Sequence, residues 1–385
     1  MNESFDTPDL CIANATVLLG DELIQADVSI KEGVIQSLDS GRAARRTVNA
    51  EGLVLLPGLV DLHGDAFERA LCPRPGVDFS IDAALVENDR AMLSAGITTG
   101  FLSITDSFEP GLRSRERLRA IIQALAGVPS LDLLCDTKIH IRHEVCQVND
   151  HQELLAWMES GQVHLLSIAD HLPLEGDVAK TQRYIRSLER RVSVPDAAAM
   201  IAKAQSFRVL GLTQQRELSA LALKKHIPLA SHDDHNAVTV SQSLEMGVRI
   251  VEFPANLAAA QTALDGEATI LLGAPNAVRG RSHLGLLTVK NAIDAGLPFI
   301  LSSDYHYLSL ALAPWVLAER GDLAFAKAWY NASRDPAQAA GLSDRGEIAV
   351  GLRADLVLMD PHPRGHRVVM TMVNGRSVFD TRPVV

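Results

Sequence analysis

Residues Leu53–Asp65 read LVLLPGLVDLHGD, an apolar run broken by Pro57-Gly58 and resumed to end on His63 and Asp65. Successive side chains of a strand face opposite ways, so Asp61, His63 and Asp65 share one face while Leu62 and Gly64 point away. An imidazole and a carboxylate two residues apart at a strand end can reach one divalent metal. A buried strand running into an ordinary turn would look the same, so the motif gains meaning only with partners.

Before residue 57, short apolar runs such as Thr16–Leu19 and Val28–Ile30 alternate with turn signals at Gly20-Asp21 and Glu32-Gly33. The pattern returns at the end in Leu356–Met359, Val368–Val373 and Ser377–Phe379, with Asn374-Gly375 as a hairpin signal. Neither end carries much core alone. The expectation is a small β-sandwich-like domain assembled from residues 1–57 and 342–385 around a larger unit spanning 58–341.

That unit reads as strands alternating with helices. Apolar runs at 54–60, 99–104, 137–141, 163–168, 227–230, 249–253, 270–272 and 298–301 are separated by helical periodicity over 81–94, 115–125, 149–158, 177–203, 213–225, 240–245 and 284–295. Eight strands with intervening helices predict an α/β fold of the (β/α)₈ TIM-barrel type. The polar stretch from Leu172 to about Arg191 is longer than an ordinary βα connection, long enough that it could form a lid.

The bulk numbers fit such a fold. The chain has 385 residues, 47% of them hydrophobic, enough for one large core and a satellite. A net charge of -11 argues against a general nucleic-acid binder. The four cysteines form no close pair, and the start MNESFDTPDL lacks a basic region followed by an apolar run. A cytoplasmic, reducing setting without a membrane span is the expectation, with a small-molecule substrate and a homo-oligomer as partner.

Chemistry in a barrel belongs at the C-terminal strand ends. Five runs end in metal-ligating types: His63/Asp65, Lys138 through Glu144, Asp170-His171, Ser231-His232-Asp233-Asp234-His235, and Ser302-Ser303-Asp304-Tyr305. A lone histidine is usually a hydrogen-bonded core residue, but five equivalent strand ends are hard to assign that way. Carboxylates and imidazoles without thiolates suit zinc foremost, with manganese or iron as alternatives. Two divalent ions are expected. His63, Asp65 and Asp304 hold one, His171 and His232 the other, and Glu144 bridges them in preference to a modified Lys138. Paired cations make hydroxide available near neutral pH. Asp304 then orients it and moves its proton to the leaving group, although an aspartate there could equally cap a helix.

The combination HGD, HIRHE, ADH, SHDDH and SSDY resembles the amidohydrolase superfamily, and more closely its phosphonate-utilisation branch. The branch motifs run over nearly the whole chain, through Pro73–Val77, Val251–Pro254, Gly273–Asn276, Arg279–His283 and Gly351–Leu356. The resemblance implies a metal-dependent diphosphatase that releases pyrophosphate from a ribose phosphonate triphosphate. Arg74, Arg142, Arg279 and Arg281, with His143, His235, His283, Asn276 and Tyr305, become candidate substrate-binding residues, since a guanidinium matches phosphate oxygens in pairs. Three departures stand out. Asp170-His171 is followed by acidic and apolar Leu172–Asp177, His143 replaces a cysteine, and His235 replaces an arginine. Hydrolysis of a C–N bond in a cyclic amide, N-acyl group or exocyclic amine is therefore the alternative.

Overall fold

The computed structural model describes residues 7–39, 43–127, 131–282, 285–362 and 364–382. The first five strands are β1 (Leu10–Leu19), β2 (Glu22–Lys31), β3 (Val34–Ser37), β4 (Thr47–Asn49) and β5 (Val54–Pro57). The next eight are β6 (Leu59–Gly64), β7 (Ile97–Asp106), β8 (Asp136–Glu144), β9 (Leu165–Ala169), β10 (Leu229–His232), β11 (Ile250–Glu252), β12 (Thr269–Gly273) and β13 (Ile300–Ser302). The last three are β14 (Leu356–Asp360), β15 (Arg367–Val373) and β16 (Arg376–Asp380).

Strands β6 to β13 form one parallel sheet in sequence order, each joined to the next through helical segments. Its seam is drawn together where Gly64 bridges Asp304, making a near-closed barrel. Inward-facing Val60, Phe101, Leu165, Ala230, Ile250, Leu271 and Ile300 fill the interior as a separate apolar cluster. All ten residues of β7 are buried, because a barrel strand has side chains on one face and helices on the other.

The remaining strands make a mixed sheet in the order β16-β15-β14-β5-β1-β2-β3, with β4 on β1. The expected single run 54–60 is two strands in two sheets, divided at Pro57-Gly58. The period of two in β5 serves both cores: Val54 and Leu56 face the large one, Leu55 the core of the mixed sheet. The junction is tight. A β-carbon at Gly58 would lie 2.3 Å from Thr98 Oγ1, and the Trp329 indole donates to the Pro57 carbonyl at 3.0 Å.

The helical reading needs corrections in several places; Leu257–Asp265, Phe325–Tyr330 and Arg334–Ala339, for example, are helices where none is expected. Residues 177–203 form two helices, Val178–Arg191 and Ala197–Ser206, because Pro195 cannot continue the ladder and Asp196 caps the second at the Ala199 amide, 2.9 Å away. The expected 284–295 helix is shorter, Val289–Asp294, starting at a Thr288 capping box. Helix Leu308–Glu319, not marked in the sequence, is apolar nearly all round, so no amphipathic period betrays it. No helix among the described residues is long and apolar enough to cross a membrane.

Candidate metal centre and active site

Register places the polar residues. Across the parallel strands, Glu144 pairs with Ala169, Ala169 with His232, and His232 with Glu252. Register neighbours point the same way, so one row at the C-terminal rim carries a carboxylate, an imidazole and a second carboxylate with small Ala169 between them. The turns beyond the rim are bent to match. Asp233, Phe253 and Asp304 all have left-handed φ (56°, 52° and 53°), a conformation costly for residues with a β-carbon. Each donates its amide to the neighbouring strand: Asp233 to Glu252 O at 2.9 Å, Phe253 to Leu271 O at 2.9 Å, and Asp304 to His63 O at 3.0 Å.

Glu252 is the hub of this rim. Fully buried, it meets His63 Nδ1 at 3.0 Å, His232 Nδ1 at 3.1 Å and the Ser167 hydroxyl at 3.0 Å. His140 Nε2 lies 3.8 Å from it with no hydrogen-bond partner, while His140 Nδ1 donates to Leu62 O at 3.0 Å. The His63 and His232 rings stack with centroids 5.0 Å apart. Beside them His171 bonds Glu144 through Nδ1 and reaches Asp233 through Nε2 at 3.2 Å.

The electrostatics follow from this crowding. Burial would raise the Glu252 carboxyl, but the surrounding imidazoles outweigh it and hold it well below the usual range. Burial opposes a charge on His171 too, yet Glu144 and Asp233 raise it to about 10; reciprocally, Glu144 is held at about 2 against its own burial. Burial first, and then the Asp65 charge, push Asp304 up to about 7. Burial leaves His140 neutral, its value lowered to about 3.

These residues fit divalent metal. Donor atoms of His63, His232 and Glu252 all lie within 4.8 Å of one another, as do those of His171, His232 and Asp233. Imidazole and carboxylate, without thiolate, is the donor set of a borderline transition ion. Among the described residues His232 belongs to both groups, and Glu144 touches His171. Glu252 and Asp233 are candidate donors that the sequence reading did not single out. The signal for Glu252 was a lone carboxylate inside the apolar run 249–253; for Asp233 it was its place beside His232.

A cavity of about 560 Å³ opens over this rim, and His63, Asp65, Glu144, His171, His232 and Asp304 all line it. The second set divides. Arg142 lies in the cavity, buried, with its guanidinium 3.5 Å from His232 Nε2 and 3.8 Å from Asp65. Asn276 also lines it. The alternation that turns Arg142 and Glu144 inward turns His143 outward, where Nδ1 meets Asp106 at 2.7 Å and Arg115 completes a buried cluster. Arg74, Arg279 and Arg281 are exposed and outside the lining, and Arg279 bonds the Tyr305 hydroxyl at 3.0 Å. His235 is exposed in an adjoining cavity; His283 lies outside the described residues. Arg113, Glu109, Tyr184 and Ser187 line the main cavity without having been singled out, the last two from the Leu172–Arg191 stretch.

Residues 248–379 match a family model described as the amidohydrolase family. Over 384 residues the chain is 32% identical to alpha-D-ribose 1-methylphosphonate 5-triphosphate diphosphatase of Escherichia coli (strain K12), covering 96% of this chain and all of that protein. It is 25% identical to an adenine deaminase of Cereibacter sphaeroides (strain ATCC 17025 / ATH 2.4.3) over 91% of its own length and 55% of that protein's. Among solved structures, a triazine hydrolase variant superposes with TM-score 0.63 at 17% identity, covering 97% and 96% of the two chains. An adenosine deaminase from Xanthomonas campestris with bound zinc gives 0.61 at 13% identity, covering 98% and 94%. These two likenesses are of fold.

Proposed function

The chain belongs to the amidohydrolase superfamily and is a metal-dependent hydrolase of small molecules, and from that premise we propose that its substrate is a phosphorylated one. The compound we name is alpha-D-ribose 1-methylphosphonate 5-triphosphate, cleaved with release of pyrophosphate. The observation that carries this reading is Arg142, a buried guanidinium held in the cavity between His232 and Asp65, where it can pair with phosphoryl oxygens. The full-length similarity to the diphosphatase supports it.

His63, His232 and Glu252 would hold one divalent ion and His171 with Asp233 a second, with Asp65, Glu144 and Asp304 facing the same space. Zinc is our first choice, as in the adenosine deaminase of similar fold. Bound there, the ions would acidify water and offset charge on substrate oxygens. The protein's own groups supply the rest. Asp304 accepts a proton from the attacking water and returns it to the departing group, as general base and then acid. Its left-handed turn fixes that carboxylate, and Asp61 secures the turn by accepting the Ser303 amide at 2.9 Å. Arg142 orients the anionic group. Tyr184 and Ser187, on helix Val178–Arg191, wall off the cavity as a lid.

A second reading, hydrolysis of a C–N bond, is favoured by the cavity's charge. Asp65, Glu109, Glu144, Asp233 and Asp304 line it against only Arg113 and Arg142 as fixed cations, a modest complement for a triphosphate. The metal-loaded protein should be assayed for pyrophosphate release from the ribose phosphonate triphosphate and nucleoside triphosphates, beside an amide and deaminase panel. Activity confined to the second panel would remove the phosphorus reading.

A further inference from the structure

His140 stands edge-on to the His63 ring, with centroids 5.3 Å apart, but lines no part of the catalytic cavity. Fully buried at the middle of β8, it bonds the Leu62 carbonyl through Nδ1 at 3.0 Å. A carbonyl can only accept, so Nδ1 carries the ring proton and Nε2 of the neutral ring presents a lone pair. That nitrogen has no hydrogen-bond partner among the described residues and lies 3.8 Å from Glu252 Oε1, too far for a proton to bridge them. Two acceptors left together in a dry interior are costly unless a cation lies between them. The neighbours meet the same requirement. Glu252 is also 3.0 Å from His63 Nδ1 and 3.1 Å from His232 Nδ1. His63 Nε2 lies 3.3 Å from the Ser103 hydroxyl, which can take its N–H and leave Nδ1 as a donor. A ring whose other nitrogen is tied to a carbonyl or a hydroxyl is the arrangement that orients metal-binding histidines.

We propose that His140 is the fourth donor, with His63, His232 and Glu252, of a closed site for one divalent ion. The ion held there is structural, and the open coordination is left to the ion at His171 and Asp233. Four protein donors complete a tetrahedral shell and leave no position for water, which is the mark of a structural site. Burial divides the residues the same way. His140 and Glu252 are fully buried and off the cavity lining, whereas His171 and Asp233 line it and are partly exposed. The assignment rests on the metal-dependent reading, not on which bond of the substrate is cleaved.

The test uses the full-length protein loaded with zinc or with cobalt, beside His140→Asn, whose amide nitrogen can keep the Leu62 bond while Nε2 is removed. Dialysis against a chelator is expected to strip the natural protein to about one ion per chain. His140→Asn should lose that last ion roughly tenfold faster or more. Cobalt in the natural protein should show the intense visible bands of four-coordinate geometry, weakened in the variant. The variant should melt below the natural protein when both are loaded and level with it when both are stripped. Equal retention of the last ion, unchanged cobalt bands, or a melting deficit that persists in the stripped proteins overturns the proposal and leaves the metal-dependent reading standing. A natural protein that takes up no ion would remove that reading and this assignment together.

Discussion

The Asp304 amide donates to the carbonyl of His63 at 3.0 Å, across the seam where the last barrel strand meets the first. The Asp304 carbonyl in turn accepts the Asp65 amide at 3.1 Å. The two ends of the barrel are thus locked in register by the residues proposed to do its chemistry. A carboxylate arriving from some 240 residues away in sequence is set against the first imidazole without relying on a flexible loop.

Replacing Asp304 with Asn keeps the backbone bonds and removes the proton acceptor. Turnover is expected to fall by about 10² to 10⁴-fold, the usual worth of general acid–base catalysis. Metal content and melting temperature should stay near those of the natural sequence. Turnover within a few fold of normal would contradict the assigned role.

Glu252→Gln should act through the metal. The change preserves shape but removes the charge shared among three imidazoles, and imidazole alone binds divalent ions less well. Elemental analysis of purified protein is expected to fall from close to two ions per chain by roughly one ion, in the two-site arrangement of a bridged centre. Full retention would exclude Glu252 as a ligand.

How much of this could be read from the sequence divides along physical lines. All eight barrel strands could, because strands buried on both faces need uninterrupted apolar runs. The inward face of β8 was legible from alternation, and the same alternation excludes His143 from the cavity shared by Arg142 and Glu144. What sequence could not provide was register: nothing local shows that Glu252 lies beside His232 and His63. Arg279 and Arg281 show a related limit: Asn276 before them and Ser282 after them line the cavity, yet both guanidinium-bearing residues are exposed outside it, Arg279 turning to the Tyr305 hydroxyl.

The buried cluster behind β8 gives a pH prediction. Burial would raise the Asp106 carboxyl, but bonds from His143 and Arg115 outweigh it and hold it below the ordinary value. A depressed carboxylate contributes stability above its unfolded value of about 4, and that stability is lost as pH falls through the lower folded value. Urea melts of the natural protein should therefore weaken progressively below about pH 4. Asp106→Asn should flatten this segment and cost about 3 to 5 kcal/mol at neutral pH, since it takes from buried Arg115 the nearer of its two carboxylate partners and leaves only Glu153, 3.7 Å away. An unchanged slope would show that Asp106 takes no part in the acid response.

At the sheet–barrel junction, Gly58→Ala forces a methyl group onto Thr98 Oγ1, in a buried site with no room to yield. Overpacking of this kind costs about 1 to 3 kcal/mol. Differential scanning calorimetry should show a lower melting temperature for Gly58→Ala, with partial recovery in the Gly58→Ala/Thr98→Ala double variant, which removes both Thr98 atoms nearest the new methyl.

The mixed sheet also sets an order of events during synthesis. β5 is flanked by β1 on one side and β14 on the other, with Leu356 opposite Pro57 and Met359 opposite Val54. The second partner lies about 300 residues downstream, so at roughly 5 to 20 residues per second the ribosome needs on the order of tens of seconds to deliver it. Throughout that interval an apolar strand presents an open edge to every other nascent chain nearby. The barrel can begin to assemble in that interval, but the sheet that seals its flank closes only once β14 has been made.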